Sequence, residues 1–157
     1  MKRVSENLGR AGLAAELVTA DATAWRDGRS FDAVLLDAPC SATGTFRRHP
    51  DVLWVASPAD IPKLAALQSA LLDAAARRVK PGGRLVYCVC SLEPEEGEGQ
   101  VAAFLARAPG FALDPIGRGE GGAPEESLRE DGTLRILPHH RPGGTDGFHV
   151  ARMRRTG

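Results

Sequence analysis

Two cysteines lie just beyond short apolar runs of the sequence, where their thiols could act as nucleophiles. Cys40 comes three residues after the carboxylate of Asp37, which directly follows the apolar run at residues 33–36. Cys90 ends a second apolar run, at residues 85–89. A thiolate is a strong nucleophile, and a nearby carboxylate can hydrogen-bond a substrate or take part in proton transfer. These residues therefore indicate covalent, thiol-dependent chemistry.

The two apolar runs have the composition of neighbouring strands in a parallel sheet. Residues 33–36, AVLL, show no polar alternation, which predicts a strand buried on both faces. Residues 83–91, GRLVYCVCS, are rich in β-branched and aromatic side chains and end at a polar residue. Between them, from Asp60 to Val79, apolar residues recur at helical spacing until Pro81-Gly82-Gly83.

A strand, a helix and a second strand in this order predict a right-handed crossover. The two strands are then adjacent and parallel, and their carboxyl ends meet at one edge of the sheet. Ligands of open α/β sheets bind at that edge. The sequence therefore predicts that Asp37, Cys40 and Cys90 share one crevice.

The residues around both cysteines resemble motifs of the Sun/Fmu-type RNA (cytosine-5) methyltransferases, the NOL1/NOP2/Sun family. DAPCSATG at residues 37–44, followed by RRHPD, is similar to the fourth motif, and YCVCSLEPEE at residues 87–96 is similar to the sixth. Further similar segments lie at residues 67–83, 135–140 and 146–153. The resemblance covers nearly the whole chain after about Val4.

The resemblance implies methylation of C5 of a cytosine in RNA, with ribosomal RNA expected, and S-adenosyl-L-methionine as cofactor. It implies that Cys90 is the nucleophile that adds to C6 and that Cys40 assists the later elimination. Asp37 would hydrogen-bond the pyrimidine and line the cofactor pocket. Asp21 would contact the adenine amino group, although it could equally cap a short turn at residues 22–25, and the two roles can coexist.

Arg47, Arg48 and His49, with Trp54 nearby, are candidate RNA-binding residues. Arginines can hold phosphates, and an aromatic ring can stack on an unpaired base. A solvated charged turn is the alternative interpretation of the same residues.

The fold implied is a class I methyltransferase: a Rossmann-like, doubly wound α/β sheet, mostly parallel with an antiparallel edge strand. The pattern predicts helices at residues 4–12 and from residue 94, and strands at 16–20, 111–116, 133–137 and 148–152. Residues 117–132 predict a mobile loop, and Arg152, Arg154 and Arg155 a frayed basic tail. His139 and His140 are expected at the surface.

Residues 1–157 are expected to form a single domain, a methyltransferase fragment that lacks the N-terminal cofactor-binding loop. The first helix has no capping residue before it, and the family's first strands and glycine-bearing loop would precede it. We therefore expect weak cofactor binding by this chain. We also expect an unfilled position between the strands at residues 16–20 and 33–36, with self-association through the open sheet edge.

Composition excludes several other classes. Twenty basic and twenty acidic side chains balance, so any RNA affinity must be local. No signal peptide or membrane span is evident, which favours a cytoplasmic protein. Three cysteines do not make a disulfide framework, and Cys88 is interpreted as a small buried residue. A zinc site from Cys40, Cys90 and His49 matches no closed tetrahedral pattern, so no metal is expected.

Two departures from the family pattern bear on the site. Val89 stands where a threonine commonly precedes the nucleophile, and Gly97 stands between two acidic residues where asparagine is usual. The leading hypothesis is an RNA cytosine methyltransferase, and the alternative is a non-catalytic RNA-contacting fragment. A thiol oxidoreductase would need Cys-x-x-Cys at a helix start, whereas this chain has Cys-x-Cys on a strand.

Overall fold

Helices and strands alternate along most of the chain in a computed structural model that describes residues 1–157. In chain order the elements are α1 (Lys2–Arg10), β1 (Phe31–Asp37), α2 (Val52–Val55), α3 (Ile61–Ala76), β2 (Val79–Val89), α4 (Glu98–Arg107), β3 (Phe111–Leu113), β4 (Leu134–Ile136) and β5 (Phe148–Arg155). None of these helices combines the length and the hydropathy of a membrane span.

The five strands form one sheet with the order β1-β2-β5-β3, and β4 also pairs with β5. β1 and β2 are parallel, with Val34 opposite Leu85, which confirms the predicted crossover through α3. β5 is antiparallel to β2, β3 and β4. Four strands therefore share one direction, and the predicted antiparallel strand lies between β2 and the short strands β3 and β4.

The core lies against one face of β2. Leu85, Tyr87 and Val89 alternate along that strand and are fully buried, and they cluster with Leu72 of α3 and Phe104 of α4. Each such side chain removed from water contributes on the order of 2 kcal/mol to folding. This packing fixes the end of β2 and thus the backbone that carries Cys90.

The prediction that β1 is buried on both faces is wrong for this chain. Leu35 is 69% exposed, whereas Val34 and Leu36 are half-buried and pack against the core. The reason is that α3 packs against the face of β1 that carries Val34 and Leu36, whereas the opposite face, which carries Leu35, is left exposed. An apolar run identifies a strand but does not show whether both of its faces are covered.

The predicted strand at residues 16–20 does not form, and so the predicted gap beside it does not exist either. Residues 13–19 have no regular structure, because no neighbouring strand pairs with them. α1 is confirmed, and Gly12 follows it with a φ of +66°, a conformation that glycine adopts readily.

Several boundaries also differ from the prediction. α3 ends at Ala76, and Pro81-Gly82-Gly83 lies inside β2 at a point where the pairing with β1 shifts register. α4 begins at Glu98, after a turn that contains the predicted helix start. Residues 117–132 contain two short helical turns within the predicted loop.

The predicted basic tail is wrong, because its arginines lie in or near β5 and have specific partners. Arg152 pairs with Asp114 at 3.1 Å and also with Glu120. The Arg155 guanidinium donates a 2.7 Å hydrogen bond to the carbonyl of Val79. The predicted strand at residues 148–152 forms and continues to Arg155, and its pairing with β2 and β3 orders these arginines.

Candidate active site

The two predicted reactive thiols meet at the carboxyl edge of the sheet. Cys40 follows the end of β1, Cys90 follows the end of β2, and their sulfur atoms lie 3.6 Å apart. That separation allows an S–H···S hydrogen bond, and both side chains are half-buried. The parallel pairing of β1 with β2 produces this approach, as the sequence predicted.

The two thiols differ in their affinity for a proton. A hydrogen bond from the Cys40 thiol lowers the pKa of Cys90 to about 7, although burial and the charge of Asp37 oppose that shift. The same hydrogen bond and burial raise the pKa of Cys40. Near neutral pH the proton of the pair therefore stays on Cys40, and Cys90 is the thiol of the two that ionises.

Close backbone packing holds the loop after Cys40 against the ends of β2 and β5. Gly44 N–H donates to the Cys90 carbonyl at 3.0 Å, and Gly147 N–H donates to the Gly44 carbonyl at 2.7 Å. A Cβ on Gly44 would lie 2.2 Å from the Gly147 oxygen, so only glycine fits there. Ala42 in the same loop has a φ of +58°, which is strained for a residue with a side chain.

Glu96 is the residue of this site that the sequence analysis missed. It lies in the predicted helix start, where a charged side chain is expected at the surface, yet its side chain is completely buried. Its carboxylate accepts hydrogen bonds from Ser41 N at 3.0 Å, Ser91 Oγ at 2.6 Å and Gln68 Nε2 at 3.0 Å. The available signal was two serines, each directly after a cysteine, which need an acceptor if they are buried.

Asp37 lies exposed at the end of β1, and its carboxylate contacts Cys88 rather than a buried partner. The Cys88 thiol donates to Asp37 Oδ1 at 3.6 Å. Cys88 is half-buried and its thiol contacts a carboxylate. The interpretation of Cys88 as a buried apolar residue is therefore wrong. Burial raises its pKa to about 12, with the charge of Asp37 adding to the shift, so its thiol stays protonated.

Asp21 caps a turn, as one of its two expected roles requires. Its Oδ1 accepts hydrogen bonds from the Thr23 amide at 2.9 Å and the Thr23 hydroxyl at 2.7 Å. These bonds lower the pKa of Asp21. The second carboxylate oxygen makes no hydrogen bond within the protein, and the contact to a cofactor stays a prediction.

The candidate RNA-binding residues lie on the surface directly after the Cys40 loop. Arg47 and His49 are exposed, and Trp54 on α2 is 89% exposed. Arg48 forms an ion pair with Asp146, whose pKa it lowers, and this pair ties the loop to the segment before β5. The structure thus provides two exposed basic groups and one exposed aromatic ring, while Arg48 is engaged within the protein.

No group of three histidine, cysteine, aspartate or glutamate side chains is arranged to hold a metal ion. His139 is exposed as predicted, but His140 is half-buried, with its Nδ1 2.8 Å from Ser127 Oγ.

Comparison with known proteins gives matches along nearly the full chain. The family model described as 16S rRNA methyltransferase RsmB/F matches residues 1–154. The small subunit ribosomal RNA methyltransferase B proteins of Sodalis glossinidius and Vibrio vulnificus are 47% and 46% identical over 154 residues. Each alignment covers 96% of this chain but 33% of the relative, so the chain spans about a third of their length.

Solved structures show the same fold. The protein PH0851 superposes with a TM-score of 0.84 at 35% identity, over 97% of this chain and 34% of that one. NSun6 from Pyrococcus horikoshii, solved with SFG, gives 0.76 at 29% identity, over 99% of this chain and 38% of that one. The sequence and fold together show that the chain belongs to the 16S rRNA methyltransferase RsmB/F family.

Proposed function

We propose that this chain supplies the thiol machinery for methylation of cytosine C5 in ribosomal RNA. The observation that carries the proposal is the pair of sulfurs 3.6 Å apart, one with a lowered pKa and one with a raised pKa. The names of the relatives supply the RNA and the reaction class. The contacts of each residue then indicate its part in the reaction.

Cys90 provides the nucleophile because cytosine C5 is itself too electron-poor to attack a methyl donor. Its thiolate adds to C6, the C5–C6 electron pair moves into the ring, and C5 gains nucleophilic character. Asp37, exposed beside the thiols, would donate a proton to N3 from its carboxylic acid form as the ring accepts this charge. Methyl transfer to C5 leaves a saturated ring bonded to Cys90 through C6.

Cys40 acts in the second half of the reaction. Once Cys90 is bonded to C6, it no longer accepts the Cys40 proton, and the hydrogen bond that kept Cys40 protonated is lost. Loss of that proton to water leaves a thiolate that can take the proton from C5. The C6–S bond then breaks, Cys90 leaves as the thiolate, and the original proton arrangement returns.

S-adenosylmethionine is the methyl donor implied by the family, and NSun6 was solved with SFG, an analogue of it. Asp21 and Asp37 each have one carboxylate oxygen without a partner in the protein, so both fit a role as acceptors for donors on such a ligand. When bound, the cofactor supplies an electrophilic methyl group. Asp21 would hold the adenine amino group and Asp37 would line the pocket.

RNA binding is assigned to the exposed surface after the Cys40 loop. Arg47 and His49 can contact phosphates, and Trp54 can stack on an unpaired base. Arg48 would contribute to the same surface while it is held by Asp146.

One observation favours a second candidate, a non-catalytic RNA-contacting fragment. Leu35 and the carboxylates of Asp21 and Asp37 lie on open surface rather than in an enclosed pocket. An open site binds a small cofactor weakly, because few of the ligand's atoms leave water. The two candidates make different predictions for covalent chemistry.

The test follows covalent complexes between the chain and a small-subunit ribosomal RNA transcript, with S-adenosylmethionine present. Cys90→Ala should abolish both methylation and any link to RNA. Cys40→Ala should still add and transfer methyl, so a denaturation-resistant adduct should accumulate, and Cys88→Ala is the control without this effect. An adduct that persists in Cys90→Ala and vanishes in Cys40→Ala would reverse the assignment, and no adduct in any variant supports the non-catalytic candidate.

A further inference from the structure

Glu96 is a fully buried carboxylate whose hydrogen-bond donors include no lysine or arginine. A buried charge is costly unless several donors replace the water it loses. Here both oxygens accept from Ser41 N, at 3.0 and 3.2 Å, and further hydrogen bonds come from Ser41 Oγ, Ser91 Oγ and Gln68 Nε2. Neutral donors from three separate segments therefore converge on one side chain.

Two of those donors are the residues directly after the two reactive thiols. Ser41 follows Cys40, and Ser91 follows Cys90. Their hydroxyl groups also lie 3.1 Å apart. The Glu96 carboxylate thus cross-links the two site loops within one residue of each sulfur.

Further contacts fix Glu96 itself. The Tyr87 hydroxyl donates a 2.6 Å hydrogen bond to the Glu96 carbonyl, which ties the turn to β2. Gln68 on α3 donates both to Glu96 Oε1 and to the Pro39 carbonyl, 2.9 Å away, in the residue before Cys40. The carboxylate is therefore held from the core side of the sheet.

We propose that Glu96 is a positioning residue that holds the Cys40 and Cys90 sulfurs at hydrogen-bond distance. The inference deepens the proposed function, on which its catalytic meaning rests, but the geometry it describes exists without RNA or cofactor. Glu96 touches neither a reacting atom nor a ligand. It acts through Ser41 and Ser91.

Replacement of Glu96 by glutamine separates this role from bulk packing. Glutamine has the same shape, but its amide nitrogen donates where the carboxylate accepted, so at least one of the converging donors loses its partner. The Cys40 loop should then move, and the Cys40 thiol should no longer stabilise the Cys90 thiolate. The other groups that face Cys90, namely Asp37, Cys88, Asp146 and Arg48, are unchanged.

The experiment measures the pH dependence of Cys90 modification by iodoacetamide, together with thermal unfolding, in a Cys88→Ala background. Glu96→Gln should raise the apparent pKa of Cys90 from about 7 toward its ordinary value of 9.0. A rise of one unit lowers the thiolate fraction at pH 7 by about fivefold, and a rise of two by about fiftyfold. Glu95→Gln is the matched control, because Glu95 is exposed on the same turn and the charge change is identical.

Two results would overturn the proposal: a lower melting temperature with an unchanged pH profile, or no change in either measurement. If Glu96→Gln does not fold, Ser41→Ala and Ser91→Ala each remove one hydroxyl and keep the carboxylate. Each should shift the profile in the same direction, and failure of both to shift it also overturns the proposal. Since the assay uses neither RNA nor cofactor, its outcome is independent of whether methyltransferase activity is found.

Discussion

Removal of the Cys40 thiol should change the pH dependence of the reactivity of Cys90. A general loss of structure would not produce the same change. Cys40 donates the hydrogen bond that most lowers the pKa of Cys90. In Cys40→Ala that donor is gone, while burial and the charge of Asp37, which act in the opposite direction, remain. The pKa of Cys90 should therefore return to its ordinary value of 9.0 or above.

The size of the effect depends on two opposing factors. At pH 7 a thiol with a pKa of about 7 is about half ionised, and one with a pKa near 9 is about 1% ionised, a loss of about fiftyfold. A more basic thiolate is also intrinsically more reactive toward disulfides, by about six- to tenfold for two pKa units. At pH 7 Cys40→Ala should therefore react about five- to eightfold more slowly than the parent.

The same two factors predict that the pH profiles of parent and variant cross. Above about pH 10 Cys90 is largely ionised in both the parent and the Cys40→Ala variant. The more basic Cys90 of the variant should then react about six- to tenfold faster. The curves should cross near pH 8. A variant whose site had merely loosened or unfolded would instead be displaced in one direction at all pH values.

The assay is exchange with a small aromatic disulfide in a Cys88→Ala background. Samples are quenched with acid, and free Cys90 is quantified by peptide mass spectrometry. Loss of free Cys90 is the quantity to follow, because in the parent Cys40 lies 3.6 Å away and can resolve the mixed disulfide. If Cys40→Ala leaves the Cys90 profile unchanged, or moves it to lower pH, then Cys40 is not the donor and the division of roles between the thiols fails.

Three further predictions concern stability, cofactor binding and association. His149 is buried with both ring nitrogens unpartnered, and burial lowers its pKa against the opposing charge of Glu98. The unfolded chain therefore binds a proton that the folded chain refuses, so the free energy of unfolding should fall as pH drops below about 6.5. In urea titrations His149→Phe should flatten this pH dependence and raise the free energy of unfolding by about 1–3 kcal/mol. The exposed control His139→Phe should change neither the pH dependence nor the free energy of unfolding. In calorimetry the chain should bind S-adenosylmethionine weakly, and micromolar affinity would contradict the open site of this structure. In sedimentation velocity the exposed edge strand β1 should promote self-association that Leu35→Lys reduces, and a monomer at every concentration would refute this.

The sequence carried enough information to predict the strand pair and the meeting of the thiols. Apolar runs, a helix of regular periodicity and the right-handed crossover rule sufficed to place Cys40 beside Cys90. The features that it did not predict depend on neighbours. Residues 16–20 have strand composition but no partner strand, and Leu35 is apolar but lies on the uncovered face of β1.

Glu96 was missed for a different reason. A carboxylate after a proline near a helix start has a common local explanation, favourable interaction with the helix dipole, and that explanation predicts an exposed side chain. Burial of Glu96 is decided by Ser41 and Gln68, which are distant in sequence and come together only once α3 has packed on the sheet. The acceptor that satisfies such buried donors is determined by tertiary contacts, so a local sequence pattern does not reveal it.

The contacts that position the two thiols are separate from the solvent-exposed face of β1. Cys40 and Cys90 are fixed by the β1–β2 pairing, by the Gly44–Gly147 backbone bond and by Glu96. The exposed surface is on β1, where Leu35 meets solvent, and Asp21 lies in a separate turn. Preorganisation of the thiol pair therefore does not depend on binding of the cofactor, and only Asp37, whose charge raises the pKa of Cys90, is shared with the proposed cofactor pocket. The lowered pKa of Cys90 should persist even if no S-adenosylmethionine binds, and a Cys90 profile that shifts only when the cofactor is added would show that the two are coupled.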